Sequence, residues 1–191
     1  MPENKIISQF TSTGTLLEGH FLLTSGRHSN KYFEKFNLLS QPDAVSSLCE
    51  SISREFIQKN IEVVVGAATG GIILAYEIGK QLNTKGIFSE RVNGNMKFRR
   101  GFSINEGQRV LLVDDVVTTG GSIFELIELV KIFKGNIIGI SVMFDRTNRG
   151  INFKYPYFPL HTEKMYSWEH EDCPQCKNGI PLSNRGRTGK K

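Results

Sequence analysis

Few cysteines, no long apolar run and neither of the common nucleotide-binding fingerprints mark this 191-residue chain. Its three cysteines are too few and too unevenly placed for a disulfide framework, which fits a reducing compartment. No apolar run approaches the ~20 residues needed to span a bilayer. With 39% hydrophobic and 23% charged residues, the composition is neither that of a disordered chain nor that of a membrane protein. The opening stretch MPENKIISQF has no positively charged segment followed by an apolar one, so the expectation is a cytosolic protein. A GxxxxGK[ST] loop and a GxGxxG turn are both missing, which removes the nucleoside triphosphatase and dinucleotide-binding readings. Internal repeats are lacking too. The net charge of +5 owes much to the last residues, NRGRTGKK, expected to be a disordered basic tail; without its four positive charges the remainder is close to neutral. That balance argues against nucleic acid as a partner and suits a small anionic ligand.

What is present is a set of short Val- and Ile-rich runs: IEVVVG (61–66), GIFSE (86–90), RVLLVDDV (109–116) and NIIGISVMF (136–144). Runs with so little polar alternation suit strands buried on both faces. Helical spacing separates them, with Leu74, Ile78 and Leu82 on one face, then Ile123, Leu126, Ile127 and Val130. An earlier helix opens near Pro42 and Asp43 and turns Val45, Leu48, Cys49, Ile52 and Phe56 inward. The order predicts an α/β fold, a mainly parallel central sheet flanked by helices. HFLLTSGRHSNKYFEKF (20–36) reads as a hairpin over one end of that sheet. The stretch from Arg91 to Arg109 is polar, basic and without a convincing helix, in the manner of a mobile cover over an active site.

The most specific feature is VLLVDDVVTTGGS (110–122). Ligands of open parallel sheets bind beyond the carboxyl ends of the strands, where Asp114 and Asp115 fall. Thr118, Thr119, Gly120, Gly121 and Ser122 then form the turn into a helix, whose free amides and hydroxyls make a phosphate cradle. Carboxylates repel a phosphate, so the pair must face hydroxyls, a metal ion or a developing cation of the same ligand. 5-Phosphoribosyl 1-diphosphate has all these parts. GAATGG (66–71) is a second small-residue turn, able by the same logic to take its diphosphate through Ala68, Thr69 and Gly70.

On the apolar strand, the acidic pair and the TTGGS turn, the sequence resembles the type I phosphoribosyltransferases. GHFLLTSGRHSNKYF (19–33) is similar to the N-terminal hood of the orotate phosphoribosyltransferases among them. The resemblance implies the type I fold with a small N-terminal hood, divided as 1–40 (N-terminal helix and hood), 41–165 (core) and 166–191 (C-terminal extension). It implies transfer of the phosphoribosyl group to orotate in pyrimidine synthesis. Asp114, Asp115, Val116, Val117 and the cradle residues Thr118 to Ser122 would hold the donor, with Arg91 beside them. Mg²⁺ would be held through the donor and water, with no protein ligand. Asp114, Asp115 and Lys97 would be catalytic, Lys97 being chosen from a basic loop that also holds Arg99 and Arg100. Thr118, Arg146, Tyr32 and Phe33 would lie at orotate. A homodimer with shared active sites is also implied. Two departures stand out: the lysines common in the phosphate turn and before Ser-Gly-Arg are Gly70 and Thr24 here.

Blander readings stay open beside these. Tyr32 and Phe33 can be ordinary aromatic packing, Arg146 a surface ion pair with Asp145 or Glu163, and the basic loop a solvated face. His170, Cys173 and Cys176 lie close together, half of a zinc site that needs His161 or another chain to complete it; a capped turn with two ordinary thiols is the alternative. The rival functions are a purine phosphoribosyltransferase and a regulatory protein that senses the ribose donor while binding nucleic acid.

Overall fold

Consecutive residues of the central strands point to opposite faces of one sheet, and each face has its own core. The structure, a computed structural model, describes residues 3–23, 25–147 and 150–183. Thr24 and the basic tail from 184 onward lie outside the described residues. In β3 (Val63–Ala67), Val64 enters one core while Val63 and Val65 enter the other. In β6 (Arg109–Val117), Leu111 and Val113 face the first core, and Val110 and Leu112 the second. That is the period of two expected of a strand, buried on both sides because helices cover both.

Six strands form the sheet in the order β5-β4-β3-β6-β7-β8, with β4 (Lys85–Val92), β5 (Asn95–Phe98), β7 (Asn136–Asp145) and β8 (Tyr157–Thr162) completing it. All neighbours are parallel except the β4–β5 hairpin. The first core is covered by α1 (Glu3–Ser12), α3 (Pro42–Phe56) and α4 (Gly70–Gln81). Here Phe10 meets Phe33 edge-on at 5.5 Å and Phe144 at 5.8 Å. The N-terminal helix therefore packs both against Phe33 of the hood and against the sheet at Phe144. Among the described residues a single long helix, α5 (Gly121–Ile132), covers the second core, helped by Phe98 of β5 and by Phe102 and Phe153 from the connections.

Two strands escape the sequence reading. Asn93 and Gly94, with φ of 51° and 84°, turn the stretch after Arg91 into the β4–β5 hairpin, where a mobile polar cover was expected. The other is β8, an edge strand that tolerates Pro159 because a ladder donor is dispensable on its open side.

The hood is a separate antiparallel ribbon of β1 (Leu16–Leu22) and β2 (His28–Phe33), followed by the short α2 (Lys35–Leu39). The C-terminal segment, including the helical turn α6 (Pro174–Lys177), folds back onto it. Trp168 and His28 exchange backbone hydrogen bonds of 2.9 and 2.8 Å, and the Ser183 N–H donates to the His20 carbonyl at 2.7 Å. Among the described residues, no helix is long and apolar enough to cross a membrane.

Candidate active site

The parallel strands deliver their carboxyl ends to one edge, and the sequence-predicted donor residues gather there. A cavity of ≈ 240 Å³ is lined by Arg91, Asp114, Val116, Val117 and the whole turn Thr118–Ser122, with Ile123 and Glu125 of the following helix. Val117 packs into one core and Val116 against the other, so the turn they introduce is anchored from both faces. Gly120 sits at the helix N-cap with φ 80° and ψ 1°, a left-handed conformation that favours glycine. Among the described residues, the N–H groups of Thr119 to Ser122 donate to no carbonyl outside their own helix. They are the orphan donors of a helix start, aimed at the cavity's mouth, and they suit an anion. Arg91 adds a positive charge, held in place by Glu125 at 2.9 Å.

The two carboxylates differ. Asp114 is buried, and its burial, followed by the adjacent Asp115 charge, pushes its pKa up to about 7. The Asp115 N–H donates to Asp114 Oδ1 at 2.9 Å and offsets part of that effect. Asp115 meets a side chain absent from the sequence expectation: Lys35 Nζ of α2 stands 2.8 Å from Oδ2. The approach is off the hydrogen-bonding direction, so this buried oxygen has a neighbouring charge but no aligned donor.

The second small-residue turn closes on the same pair. Ala68 and Thr69 are exposed, joined by a cis peptide bond, while Gly70 is buried against Asp115. A Cβ at Gly70 would stand 1.6 Å from Asp115 Oδ2, so no side chain fits there while the aspartate holds this place. The Asp115 carboxylate thus occupies the space that a side chain at the position of the missing lysine would take.

On the other side of Asp115 lies a cavity of ≈ 350 Å³ lined by Leu23, Ser25, Tyr32, Phe33, Lys35, Asp115, Val116, Thr118 and Arg146. The four residues expected at the acceptor thus line one space, but unequally. Phe33 stacks on Phe144 at 4.3 Å and belongs to the core, so the packing reading wins for its ring. Tyr32 lies over Phe21 at 5.5 Å and borders Arg146, while burial raises its pKa. Arg146 hangs from the end of β7, its N–H donating to the Val117 carbonyl at 3.0 Å. Burial lowers its pKa. The carboxylates offered as its partners are engaged elsewhere. Asp145 accepts from the Thr147 N–H at 2.8 Å and the Tyr157 hydroxyl at 2.9 Å, and Glu163 pairs with Lys31. Among the described residues, Arg146 has no carboxylate within ion-pair distance.

The basic loop does not join either cavity as a group. Lys97 is an exposed residue of β5, lining a different groove with Phe98, Leu129 and Phe133 that touches the cradle only through Glu125. Arg100 is committed to Glu90 by hydrogen bonds of 3.0 and 3.1 Å. Arg99 is exposed and lines neither cavity. Only Arg91 of this set reaches the cradle.

Sequence reading missed Lys35 and Ser25 as lining residues, since nothing in KYFEKF separates Lys35 from Lys31, which pairs with Glu163. In the hood turn, Arg27 donates to the Ser167 hydroxyl at 3.0 Å and its carbonyl at 2.7 Å, and pairs with Glu169. That ties the acceptor side to the C-terminal segment.

Comparison with known proteins gives the family and the fold. The family described as "Phosphoribosyl transferase domain" matches residues 37–172. The orotate phosphoribosyltransferase of Caldicellulosiruptor bescii is 42% identical over 186 residues, covering 97% of this chain and 98% of that one. Among solved structures, orotate phosphoribosyltransferase from Aeropyrum pernix superposes with a TM-score of 0.64 at 25% identity, over 82% of this chain and 93% of that one. An adenine phosphoribosyltransferase from Saccharomyces cerevisiae reaches a TM-score of 0.63 at 15% identity, over 81% of this chain and 99% of that one. The fold is therefore shared by enzymes named for different bases, and the acceptor must be read from the site.

Proposed function

The chain belongs to the phosphoribosyltransferase family, and from that premise we propose that it is an orotate phosphoribosyltransferase. It joins orotate to the ribose of 5-phosphoribosyl 1-diphosphate and releases diphosphate. The observation that carries the choice of base is Arg146, a half-buried guanidinium in the acceptor cavity with no carboxylate partner among the described residues. A planar fork without a counter-ion, beside Tyr32 and Thr118, fits a flat ring that brings its own carboxylate. A purine base has no such group and would leave the guanidinium buried and unpaired.

The donor spans the edge. Its monophosphate takes the amides of Thr119 to Ser122, its ribose hydroxyls meet Asp114 and Asp115, and its diphosphate lies towards Ala68, Thr69 and Arg91. As the bond between the anomeric carbon and the diphosphate oxygen stretches, positive charge grows on the sugar. Two carboxylates held in a water-poor site favour that charge without reorganising. The departing electron pair stays on the diphosphate, while the ring nitrogen of orotate bonds to the anomeric carbon from the opposite cavity and gives up its N–H proton to water. Thr118, which lines both spaces, fixes the distance between the two reactants.

Mg²⁺ fits this site as an ion carried by the donor, because Asp114 and Asp115 put two buried carboxylates at the edge where the donor's hydroxyls would lie, with Lys35 already beside Asp115 Oδ2. It would be held through oxygens of the donor and through water, with no protein ligand. When bound it neutralises charge on the leaving group. Arg91 is the loop cation the fold brings to the cradle; Lys97 serves only if a second copy of the chain turns its β5 towards this edge. A homodimer with shared sites, in the cytoplasm, is part of the proposal, supported by family membership.

Consumption of the ribose donor with Mg²⁺ is compared for orotate, uracil, adenine and hypoxanthine, and only orotate is expected to turn over. Arg146→Ala should raise KM for orotate by about 10²-fold, equivalent to ~3 kcal/mol, with KM for the ribose donor little changed. Turnover of a purine, or equal changes in both constants, overturns the reading.

A further inference from the structure

The hood and the C-terminal segment enclose a polar cluster that the transferase site does not use. His20 of β1, His28 of β2, and Cys173 and Cys176 around α6 bring four potential ligand atoms within 4.8 Å of one another. His20, His28 and Cys173 are buried and Cys176 is partly exposed, which leaves a way in. The Cys-x-x-Cys half was visible in the sequence, but its partners are not those expected. His161 lies against Phe10 and Phe144, away from the cysteines, and His170 touches Cys176 only from the rim at 3.5 Å.

We propose that these four side chains bind one Zn²⁺ tetrahedrally, as a structural clasp between the hood and the C-terminal segment. Zinc bonds of about 2.3 Å to sulfur and about 2.0 Å to nitrogen place sulfur and nitrogen ligands roughly 3.5 Å apart. His20 Nε2 lies 3.4 Å from Cys173 Sγ and 3.6 Å from Cys176 Sγ, and His28 Nδ1 lies 3.3 Å from Cys176 Sγ. The two ring nitrogens, 2.8 Å apart, need only part slightly to admit the ion. His20 is already oriented as a ligand: its Nδ1–H donates to the Ile180 carbonyl at 2.7 Å, leaving the Nε2 lone pair facing the cluster. An outer hydrogen bond of this kind is what fixes the tautomer of a zinc-bound histidine.

The surroundings prepare the same geometry. The β1–β2 register slips between Glu18 and Phe21, a bulge that places Gly19 and His20 opposite a single residue and re-aims the histidine. Gln175 Nε2 donates to the Gly19 carbonyl at 2.8 Å, and Ser183 holds the His20 carbonyl through both N–H and hydroxyl at 2.7 Å. This region needs a clasp. Phe21 and Cys173 are buried yet belong to neither hydrophobic core, so hood and C-terminal segment meet without a core of their own. Small units in that position are commonly held by a metal. Binding displaces the two thiol protons to solvent and leaves both sulfurs as thiolates, with no change of oxidation state.

Zinc is measured by mass spectrometry on full-length protein grown with the metal, and the wild type is expected to carry one ion per chain. X-ray absorption at the zinc edge should resolve two sulfur and two nitrogen neighbours. Cys173→Ala with Cys176→Ala should lose the ion, and His170→Ala should keep it. If the cysteine variant fails to fold, removing zinc from the wild type with a chelator and titrating Co²⁺ should give the absorption of a tetrahedral sulfur–nitrogen site. Wild-type protein that carries no zinc and gives no such spectrum overturns the proposal. Stoichiometric zinc that survives in a folded double variant, or is lost in His170→Ala, overturns this ligand set. These readouts do not depend on the acceptor base, so they stand apart from the activity proposed above.

Discussion

The donor edge and the acceptor cavity share Val116 and Thr118, yet they are built in opposite ways. On the donor side a single stretch, residues 114–122, supplies carboxylates, amides and hydroxyls, and the sheet fixes them by backbone pairing from Arg109 to Val117. On the acceptor side the groups arrive from Leu23 to Lys35 and from Arg146, and their placement depends on contacts across more than a hundred residues. The contrast teaches that recognition of the phosphoribosyl group is a local property of the chain, whereas recognition of the base is a property of the assembled fold. Damage to the first should therefore appear in chemistry, and damage to the second in affinity for one substrate.

The largest expected effect is on the donor side. Asp115→Asn should lower kcat by about 10²–10³-fold with the fold intact, because it removes a charge aimed at the developing cation; near-normal turnover would erase the distinction between the two sides. A pH series probes Asp114. Its folded pKa of about 7 lies above the ordinary carboxylate value of 3.8, so the free enzyme binds an extra proton between these values. In the free enzyme kcat/KM for the ribose donor should fall about tenfold per pH unit below that range's upper end, one ionisation being lost. Stability has the opposite slope: the unliganded protein should lose stability as pH rises from about 4 to about 7, and Asp114→Asn should abolish that loss. A chemical melt across this range checks the sign.

A smaller effect is expected where the two phosphate turns meet. Gly70→Ala must displace the Asp115 carboxylate, an overpacking of ~1–3 kcal/mol, and should cost roughly tenfold in kcat/KM for the ribose donor. Smallest is the acceptor-side tether: Arg27→Ala should raise KM for orotate roughly threefold and leave the donor's unchanged, as suits a half-exposed ion pair. Equal shifts in both constants would show that the hood serves the whole site.

The same contrast governs what could be read from the amino-acid order. The sheet, its flanking helices and the cradle were legible because each depends on neighbouring residues: apolar runs, helical spacing and the contiguous DDVVTTGGS. The β4–β5 hairpin is legible in principle, since Asn93-Gly94 is a strong turn signal, but its flanks are polar and basic and carry little of the apolar alternation that marks a strand. Lys35 and the engagement of Asp145 and Glu163, which leaves Arg146 unpaired, were beyond reach because no spacing encodes them. The metal-ligand cluster divides at the same line, with Cys173 and Cys176 visible as a pair and His20 and His28 visible only once the C-terminal segment lies on the hood.

The cradle is also the first turn of α5, the one long helix roofing the second core. A phosphate seated on its amides therefore pins the cover of half the interior. The two cores should respond differently to the ribose donor: amide hydrogens of α5 and the strand residues beneath it would exchange with solvent more slowly when the donor binds, while those under α1 and α3 would keep their pace. In this fold, loading the substrate is a way of shutting one side of the building.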